Sequence, residues 1–393
     1  MARLGDICTI YSGTGFPVQY QGTAEGQYPF YKVGDIAKNV TAGNKYLVFC
    51  ENYVEADIVK IIKGNVLPSR TVVFAKIGEA VKLNRRAITS CECLIDNNAM
   101  GIAPNESVLT LDYFFHYMCS LRLETLAEAT TVPSVKKSLI EKLDIPLPSL
   151  LEQEKISTML NKVGELITLR KEQLAKLDQL VKSRFIELFG DPVQNPMEWE
   201  TVLLKSATSK IGSGATPKGG KESYQTEGIT LIRSMNVHDG RFEYKDLAHI
   251  TDEQAKQLEN VTVEENDVFI NITGASVARS CIVPKHILPA RVNQHVAIIR
   301  CITSMLNPVF ANQMFLNTSF KGQLLDIGES GGATRQAITK QQLETLMVIL
   351  PPLELQKQFA TFVDQTDKSK LAIQQSLDKL ELLKKSLMQE YFG

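Results

Sequence analysis

Leu147-Pro148-Ser149-Leu150, a glutamine at Gln153, and the closing run Glu187-Leu188-Phe189-Gly190 frame a stretch that the chain contains twice. Displaced by 203 residues, the frame returns as Leu350-Pro351-Pro352-Leu353, Gln356 and Glu390-Tyr391-Phe392-Gly393. Fourteen of the 44 aligned positions are identical without a gap. Unrelated segments of ordinary composition share about three. A repeat of this length divides the 393 residues into two halves of one design.

Proline is tolerated in the first turn of a helix and blocks its interior, so Pro148 and Pro351-Pro352 read as entrances. Gly190 and Gly393 read as exits. Between them Leu160, Ile167, Leu174, Val181 and Leu188 recur every seventh residue, with Val163 and Leu177 interleaved and Arg170 and Arg184 interrupting. In the second copy Ile373, Leu380 and Leu387 keep the beat, supported by Leu377, Leu383 and Tyr391. Such spacing lays an apolar seam along a long helix. Leu166, Leu169 and Leu180 widen it, which implies contact with more than one neighbour. Leu160, Ile167, Leu174, Leu177, Val181, Ile373, Leu377, Leu380 and Leu387 make up this seam. Charge nearly cancels, with seven Lys/Arg against six Asp/Glu over residues 151–190 and six against six over residues 354–393. That is a solvated face of a bundled helix, not a nucleic-acid-binding run.

A helix of roughly 35 residues is about 50 Å long. Only residues 191–198 join the first helix to the second half of the chain, and a globular unit of about 150 residues is some 40 Å across. The chain is thus expected to place a second head at the far end of the first helix and to return antiparallel. The fold expected is α+β: two similar globular heads, residues 1–146 and 199–349, separated by two antiparallel coiled-coil helices, residues 147–190 and 350–393. Residues 191–198 form the linker, and the repeat is pseudo-twofold.

Composition sets outer bounds. A net charge of −1 and a pI near 6.6 announce no global basic field, which argues against strong autonomous binding to nucleic acid but leaves room for local patches. Met1-Ala2-Arg3-Leu4-Gly5-Asp6 lacks the basic and apolar regions of a signal peptide, and no apolar run reaches membrane-spanning length. The seven cysteines are odd in number and scattered, so reduced thiols in a cytoplasmic protein, without a metal site, are expected.

Alternation and turn chemistry predict strands at residues 7–11, 30–33, 46–49 and 72–77 and a helix at 111–126 in the first head. The second head has expected strands at 202–211, 229–232, 268–272 and 296–300 and a helix at 307–325 with Pro308 in its first turn. This pattern is α+β and lacks regular alternation. Weaker repeats link the heads in the same order. Ser12-Gly13 with Pro17 answers Ser213-Gly214 with Pro217, and Phe30-Tyr31-Lys32-Val33 answers Leu231-Ile232-Arg233-Ser234. Val73-Phe74-Ala75-Lys76-Ile77-Gly78 answers Val268-Phe269-Ile270-Asn271-Ile272-Thr273-Gly274, and Asn97-Asn98-Ala99-Met100 answers Asn293-Gln294-His295-Val296. One scaffold with two different surfaces suits two different targets.

No catalytic constellation is complete. Gly214-Ala215-Thr216-Pro217-Lys218-Gly219-Gly220-Lys221 lacks the Gly-Lys-[Ser/Thr] ending and spacing of a phosphate loop, so a mobile polar loop able to touch phosphate is the reading. Asn307-Pro308-Val309-Phe310 approaches the Asn-Pro-Pro-Phe of adenine methyltransferases but reads as a helix start. The five histidines form no paired-ligand spacing, and no Gly-x-Ser-x-Gly elbow occurs. What remains is polar and basic. Lys82, Asn84, Arg85 and Arg86 make the densest basic spot of the first head, and Lys218, Lys221, Arg233, Arg279, Arg335 and Gln336 are candidates in the second. Lys32, Lys76, Asn98, Asn271 and Gln294 join them from the repeated motifs. Lys136, Lys137 and Lys340 read as caps at domain edges. Arg and Lys suit guanine edges, Asn and Gln suit adenine, and all of them also hold phosphates.

The paired helices with their Leu-Pro-x-Leu…Gln openings and Phe-Gly endings resemble the specificity subunit of type I restriction–modification enzymes. Phe189-Gly190-Asp191-Pro192…Asn195-Pro196…Trp199 is similar to that family's junction into a second target-recognition domain. Leu4-Gly5-Asp6-Ile7 and Ser213-Gly214-x-Thr216-Pro217 resemble its domain openings. The second head departs with Lys205-Ser206-Ala207 in place of Gly-Asp-Ile, and the first with Phe16-Pro17 for Thr-Pro. The resemblance implies a non-catalytic reader of double-stranded DNA, with one half of a bipartite asymmetric site per head and the helices setting the gap. It also implies that two methylation subunits carrying S-adenosylmethionine dock beside the helices, with the seam residues Leu160, Ile167, Leu174, Leu177, Val181, Ile373, Leu377, Leu380 and Leu387 as partner-docking positions, and that restriction subunits join them. No cofactor of its own and no membrane contact are implied. Two rivals are an adenine methyltransferase built on residues 307–310 and a scaffold whose heads bind proteins.

Overall fold

The computed structural model describes residues 1–127, 133–217, 219–329 and 336–393. They fall into two compact units, one of Met1–Lys171 with Gln375–Gly393 and one of Glu172–Gln374. The two cut points, after residues 171 and 374, lie 203 apart, the displacement of the sequence repeat. The long helices, Leu150–Phe189 and Leu353–Phe392, run 40 residues each and contribute to both units.

In the first unit a four-stranded antiparallel sheet has the order Cys8–Ser12, Ala99–Pro104, Val72–Ala75, Arg86–Ile88. A three-stranded sheet has Tyr28–Tyr31 between Tyr53–Val54 and Leu94–Ile95, the last pairing parallel. Ala2–Arg3 pairs with Asp144–Ile145, bringing the start of the head beside the entrance to the first long helix. The second unit repeats all three sheets. Its four-stranded order is Thr208–Ser213, Val296–Cys301, Val268–Asn271, Ser280–Ile282. Ile229–Ile232 lies between Ala248–Ile250 and Ala290–Val292, and Thr201–Leu203 pairs with Met347–Ile349. The heads diverge after the middle strand of the three. The first unit enters a helix, Val33–Thr41; the second makes a 3-10 turn, Ser234–Asn236, and a small hairpin of Val237–His238 with Arg241–Phe242.

The long helices pair antiparallel within each unit. In the first, Ile156, Leu160 and Val163 share a buried cluster with Leu387, and Lys171 bonds Glu381 at 2.8 Å. In the second, Val181, Phe185 and Phe189 meet Phe359 and Val363, and Asp178 bonds Lys370 at 2.7 Å. The last turns plug the heads. Phe392 tilts against Tyr113 at 5.0 Å, and at equivalent positions Phe189 meets Phe310 at 4.7 Å. Burying Phe189 fully is worth roughly 1.5–3 kcal/mol and the half-buried Phe392 contributes less, so both rings help hold the helices to the heads.

The repeated glutamine has a structural task. Gln153 is wholly buried; its Oε1 accepts from the Thr110 N–H at 2.8 Å and its Nε2 donates to the Val108 and Pro148 carbonyls, both at 2.9 Å. Gln356 does the same with the Asn307 N–H at 2.8 Å and the Met305 and Pro351 carbonyls at 3.0 and 2.8 Å. Each amide joins the turn before the head's helix to the entrance of the long helix and satisfies one N–H and two carbonyls of the main chain there.

Several expected boundaries are corrected. Residues 46–49 form no strand, because the buried Asn39 side chain takes the Val48 and Phe49 N–H groups at 2.8 and 3.0 Å, leaving only a bridge from Tyr46 to Ile88. The helix expected at 111–126 stops at Leu111–Ser120 and resumes at Leu123–Leu126, and that at 307–325 divides into Pro308–Leu316 and Thr318–Glu329. Asn317 causes the second break, accepting the Ser319 N–H at 3.0 Å as a fresh cap. The strand expected at 202–211 is interrupted by a 3-10 turn, Leu204–Ala207.

Candidate nucleic-acid interface

Register decides which loops meet. Ser213 faces Ala297 and Asn271 faces Val296, so residues 214–217, 272–276 and 293–295 leave the four-stranded sheet at one end. In the first unit Ser12 faces Met100 and Ala75 faces Ala99, which brings residues 13–17, 76–79 and 96–98 together in the same way. The Ser-Gly motif serves this convergence. A Cβ on Gly13 would stand 1.8 Å from the Asp96 carbonyl oxygen, and one on Gly214 1.8 Å from that of Val292. Only glycine lets the loop pass so close.

Side chains from three loops join in the second unit. Thr216 Oγ1 donates to Gln294 Oε1, Gln294 Nε2 donates to His295 Nε2 at 3.0 Å, and His295 Nδ1 donates to Thr273 Oγ1 at 2.5 Å, a tautomer assigned from these partners. Asn271, Arg279 and Gln336 border the group. Asn271 N–H donates to the Arg279 carbonyl at 2.9 Å and Gly274 N–H to that of Gln336 at 2.9 Å. Asn271 itself is wholly buried, its Nδ2 on the Ser234 carbonyl at 2.9 Å. Arg233 lies beside them with its guanidinium 5.4 Å from the centre of the Tyr224 ring. Gln336 Nε2 donates to Glu329 at 2.6 Å. Lys218, Arg335 and the side chain of Lys221 lie outside the described residues.

The first unit gathers Lys32, Lys76 and Asn98 at the equivalent end. Lys76 N–H donates to the Asn98 carbonyl at 2.8 Å, and Asp96 accepts from the Asn98 and Val33 N–H groups at 2.9 and 3.3 Å. Burial raises the Asp96 and Asp35 carboxyls above their ordinary range, offset in part by these N–H groups and by Lys32. The basic spot around Arg86 is separate and points inward. Arg86 is buried, and its guanidinium donates to the carbonyls of Asn84 and Leu121, both at 2.7 Å. Asn84 Oδ1 accepts from the Leu123 N–H at 3.0 Å. Together they hold the break between the two short helices, and burial pushes the Arg86 guanidinium down to about 10. Arg85 is half-buried and Lys82, bonded to Glu79, is exposed. Thr216, Thr273 and His295 lie inside the repeated or family-like motifs but are not among the sequence's site candidates, while Tyr224, under Arg233, and Gln21, which accepts from Lys32 Nζ, lie in none; only the fold brings these side chains to the sites.

Asn307-Pro308-Val309-Phe310 is a helix start. Asn307 Oδ1 accepts from the Val309 and Phe310 N–H groups at 2.9 and 3.3 Å and Phe310 is buried in the core, so the stretch caps and anchors a helix. Of the seam residues, Leu160, Val181, Leu377 and Leu387 are buried, and Ile167, Leu174, Leu177, Ile373 and Leu380 are half-buried. On the long helices the large apolar side chains left exposed are Leu150, Leu151, Met159, Leu166, Leu169, Leu382 and Leu383 in the first unit and Leu180, Ile186 and Leu371 in the second. Among the described residues no group of three or more His, Cys, Asp or Glu could hold a metal, and no helix is long and apolar enough to cross a membrane.

Comparison with known proteins is consistent across the chain. The family model of the type I restriction modification DNA specificity domain matches twice, over residues 1–179 and 196–382. The MjaVIII specificity subunit of Methanocaldococcus jannaschii is 22% identical over 411 aligned residues, covering 99% of this chain and 90% of that protein. The EcoAI specificity subunit of Escherichia coli is 28% identical over 211, covering 51% of this chain and 34% of its own length. Among solved structures, the S subunit of a type I system from M. genitalium superposes with a TM-score of 0.59 at 14% identity, covering all of this chain and 95% of that one. A chain from a study of assembly and conformational transition in the type I system gives 0.59 at 19%, covering all of this chain and 96% of its own.

Proposed function

Because this chain belongs to the family of type I restriction modification DNA specificity domains, whose members recognise DNA and do not catalyse, we propose that its two units read the two halves of a bipartite, asymmetric DNA sequence. The observation that supports this reading is the doubled scaffold. Three sheets and one glutamine clamp recur in both units, while the side chains on the convergent loops differ. A single scaffold repeated with identical loops would suit a palindrome; this one suits two unlike half-sites. The paired long helices act as the spacer that sets the gap.

Its partners are two methylation subunits, which bring S-adenosylmethionine, and restriction subunits beyond them. The exposed leucines and methionine on the long helices give those partners an apolar footing that the chain leaves uncovered. With a net charge of −1, the chain leaves much of the electrostatic grip on DNA to the assembled complex. The work is cytoplasmic. Mapping methylated adenines in genomes with and without this chain tests the whole reading: one bipartite motif with unlike halves should vanish on deletion. A methylation map indifferent to the chain would sink it.

A further inference from the structure

In both units the middle strand of the three-stranded sheet is followed at once by a cation, Lys32 after Tyr28–Tyr31 and Arg233 after Ile229–Ile232. Their main chains are held alike. The Lys32 N–H donates to the buried Asp35 carboxylate at 2.8 Å, and the Arg233 N–H to the buried Asn236 amide oxygen at 3.1 Å, three residues on in each case. Their charged heads rest on neutral groups. Lys32 Nζ donates to Gln21 Oε1; the Arg233 guanidinium donates to the Asp246 carbonyl and covers the Tyr224 ring. Neither forms an ion pair among the described residues, although Lys45, Arg70, Arg300 and Lys321 in the same heads do. Lys32 offsets part of the burial of the Asp35 and Asp96 carboxyls without a salt bridge to either. The Nε of Arg233 is buried and has no hydrogen-bond partner among the described residues. Both heads therefore hold a positioned cation whose charge is not neutralised by a direct contact.

We propose that Lys32 and Arg233 are matched phosphate clamps, each gripping the DNA backbone of its half-site and neither reading a base. The inference rests on the function proposed above. Two domains that recognise different sequences on one scaffold share only what both half-sites share, and that is the phosphate backbone. A cation kept at the same point of both scaffolds is matched to that common feature. Directly after it the chains part, into the helix Val33–Thr41 in one unit and the hairpin of Val237–His238 with Arg241–Phe242 in the other. Base readout belongs to the parts that differ. The clamp sets the register from which they reach.

The test uses the chain assembled with its methylation subunits and a duplex carrying the motif found by methylation mapping. Affinity is measured across a salt series for the parent, Lys32→Gln, Arg233→Gln and the double variant. Removing one cation from a phosphate lowers the slope of log affinity against log salt by about 0.9, so the double variant loses about 1.8. The methylated motif stays the same in all of them, and Lys32→Arg and Arg233→Lys keep the parent slope. Because Arg233→Gln also uncovers Tyr224, the half-buried Lys32 carries the test alone if the Arg233 variant melts early. Unshifted slopes in a sequence-selective complex, or a motif that relaxes at one position, overturn the assignment while the proposed function stands. A parent complex that retains all DNA alike overturns both.

Discussion

Replacing Gln356 by Met removes the amide while nearly preserving its volume. Three main-chain groups, the Asn307 N–H and the carbonyls of Met305 and Pro351, then lose the partner that the wholly buried Gln356 side chain gives them. At roughly 1 kcal/mol or more for each buried polar group left unsatisfied, the second unit should lose about 3 kcal/mol. The single tryptophan of the chain, Trp199, lies in that unit with its Nε1 donating to the Phe189 carbonyl at 3.0 Å, so its fluorescence reports locally on the packing that Gln356 supports. With a urea dependence of about 2 kcal/mol per molar, the fluorescence midpoint should fall by about 1.5 M. The helical circular dichroism before the transition should be unchanged. Gln153→Met tests the first unit in parallel. A midpoint within about 0.3 M of the parent for Gln356→Met would refute the clamp, since the three bonds would then be worth no more than their exchange with water.

Other parts of the molecule yield predictions of their own. Gly214→Ala drives a Cβ onto the Val292 carbonyl, and Gly13→Ala drives one onto that of Asp96; each should cost about 1–3 kcal/mol and blunt recognition of one half-site only, read by methylation mapping. Burial pushes the His116 imidazole down to about 4, its Nε2–H donating to Asn161 Oδ1 at 2.8 Å. The unfolded chain takes up a proton near pH 6.5 that the folded one refuses, so stability is full above that pH and about 2 kcal/mol is lost by pH 4.5. His116→Gln should flatten that part of a pH-resolved denaturation series, and an identical pH profile would count against it. Inserting four residues after Lys171 together with four after Gln374 lengthens both helices at equivalent points by about 6 Å. The mapped gap should grow by about two base pairs with both half-sites intact, and an unaltered gap would remove the spacer role.

The long helices were legible because their punctuation is local. Proline at the entrance, a seven-residue beat and glycine at the exit locate Leu150–Phe189 to within a few residues, and Gly190 indeed takes φ +72°. The repeat announced a second copy of the same design. What the repeat could not convey is the work of Gln153 and Gln356, since a buried polar residue looks like any surface glutamine until its three partners are in place. Ala99–Pro104, a central strand of its sheet, went unseen because burial on both faces erases alternation. Breaks at Leu121 and Asn317 depend on side-chain caps that compete with helix continuation, a contest decided by tertiary contacts. At the candidate interface, sequence singled out Arg86 for its charge, while the fold uses that charge to stitch main chain. Gln294 was visible as half of a repeated pair, but Thr216, Thr273 and His295 come from separate loops and meet only when the sheet is assembled.

The first unit is sewn from two pieces of chain, Met1–Lys171 and Gln375–Gly393, with the entire second unit lying between them in sequence. During synthesis, the groove beside Tyr113 and Tyr117 must wait for Phe392 until every residue of the other unit has been translated. The half made first is thus the half completed last. A nascent chain halted before residue 375 should carry a finished second unit and an open, sticky first one, a natural client for chaperones.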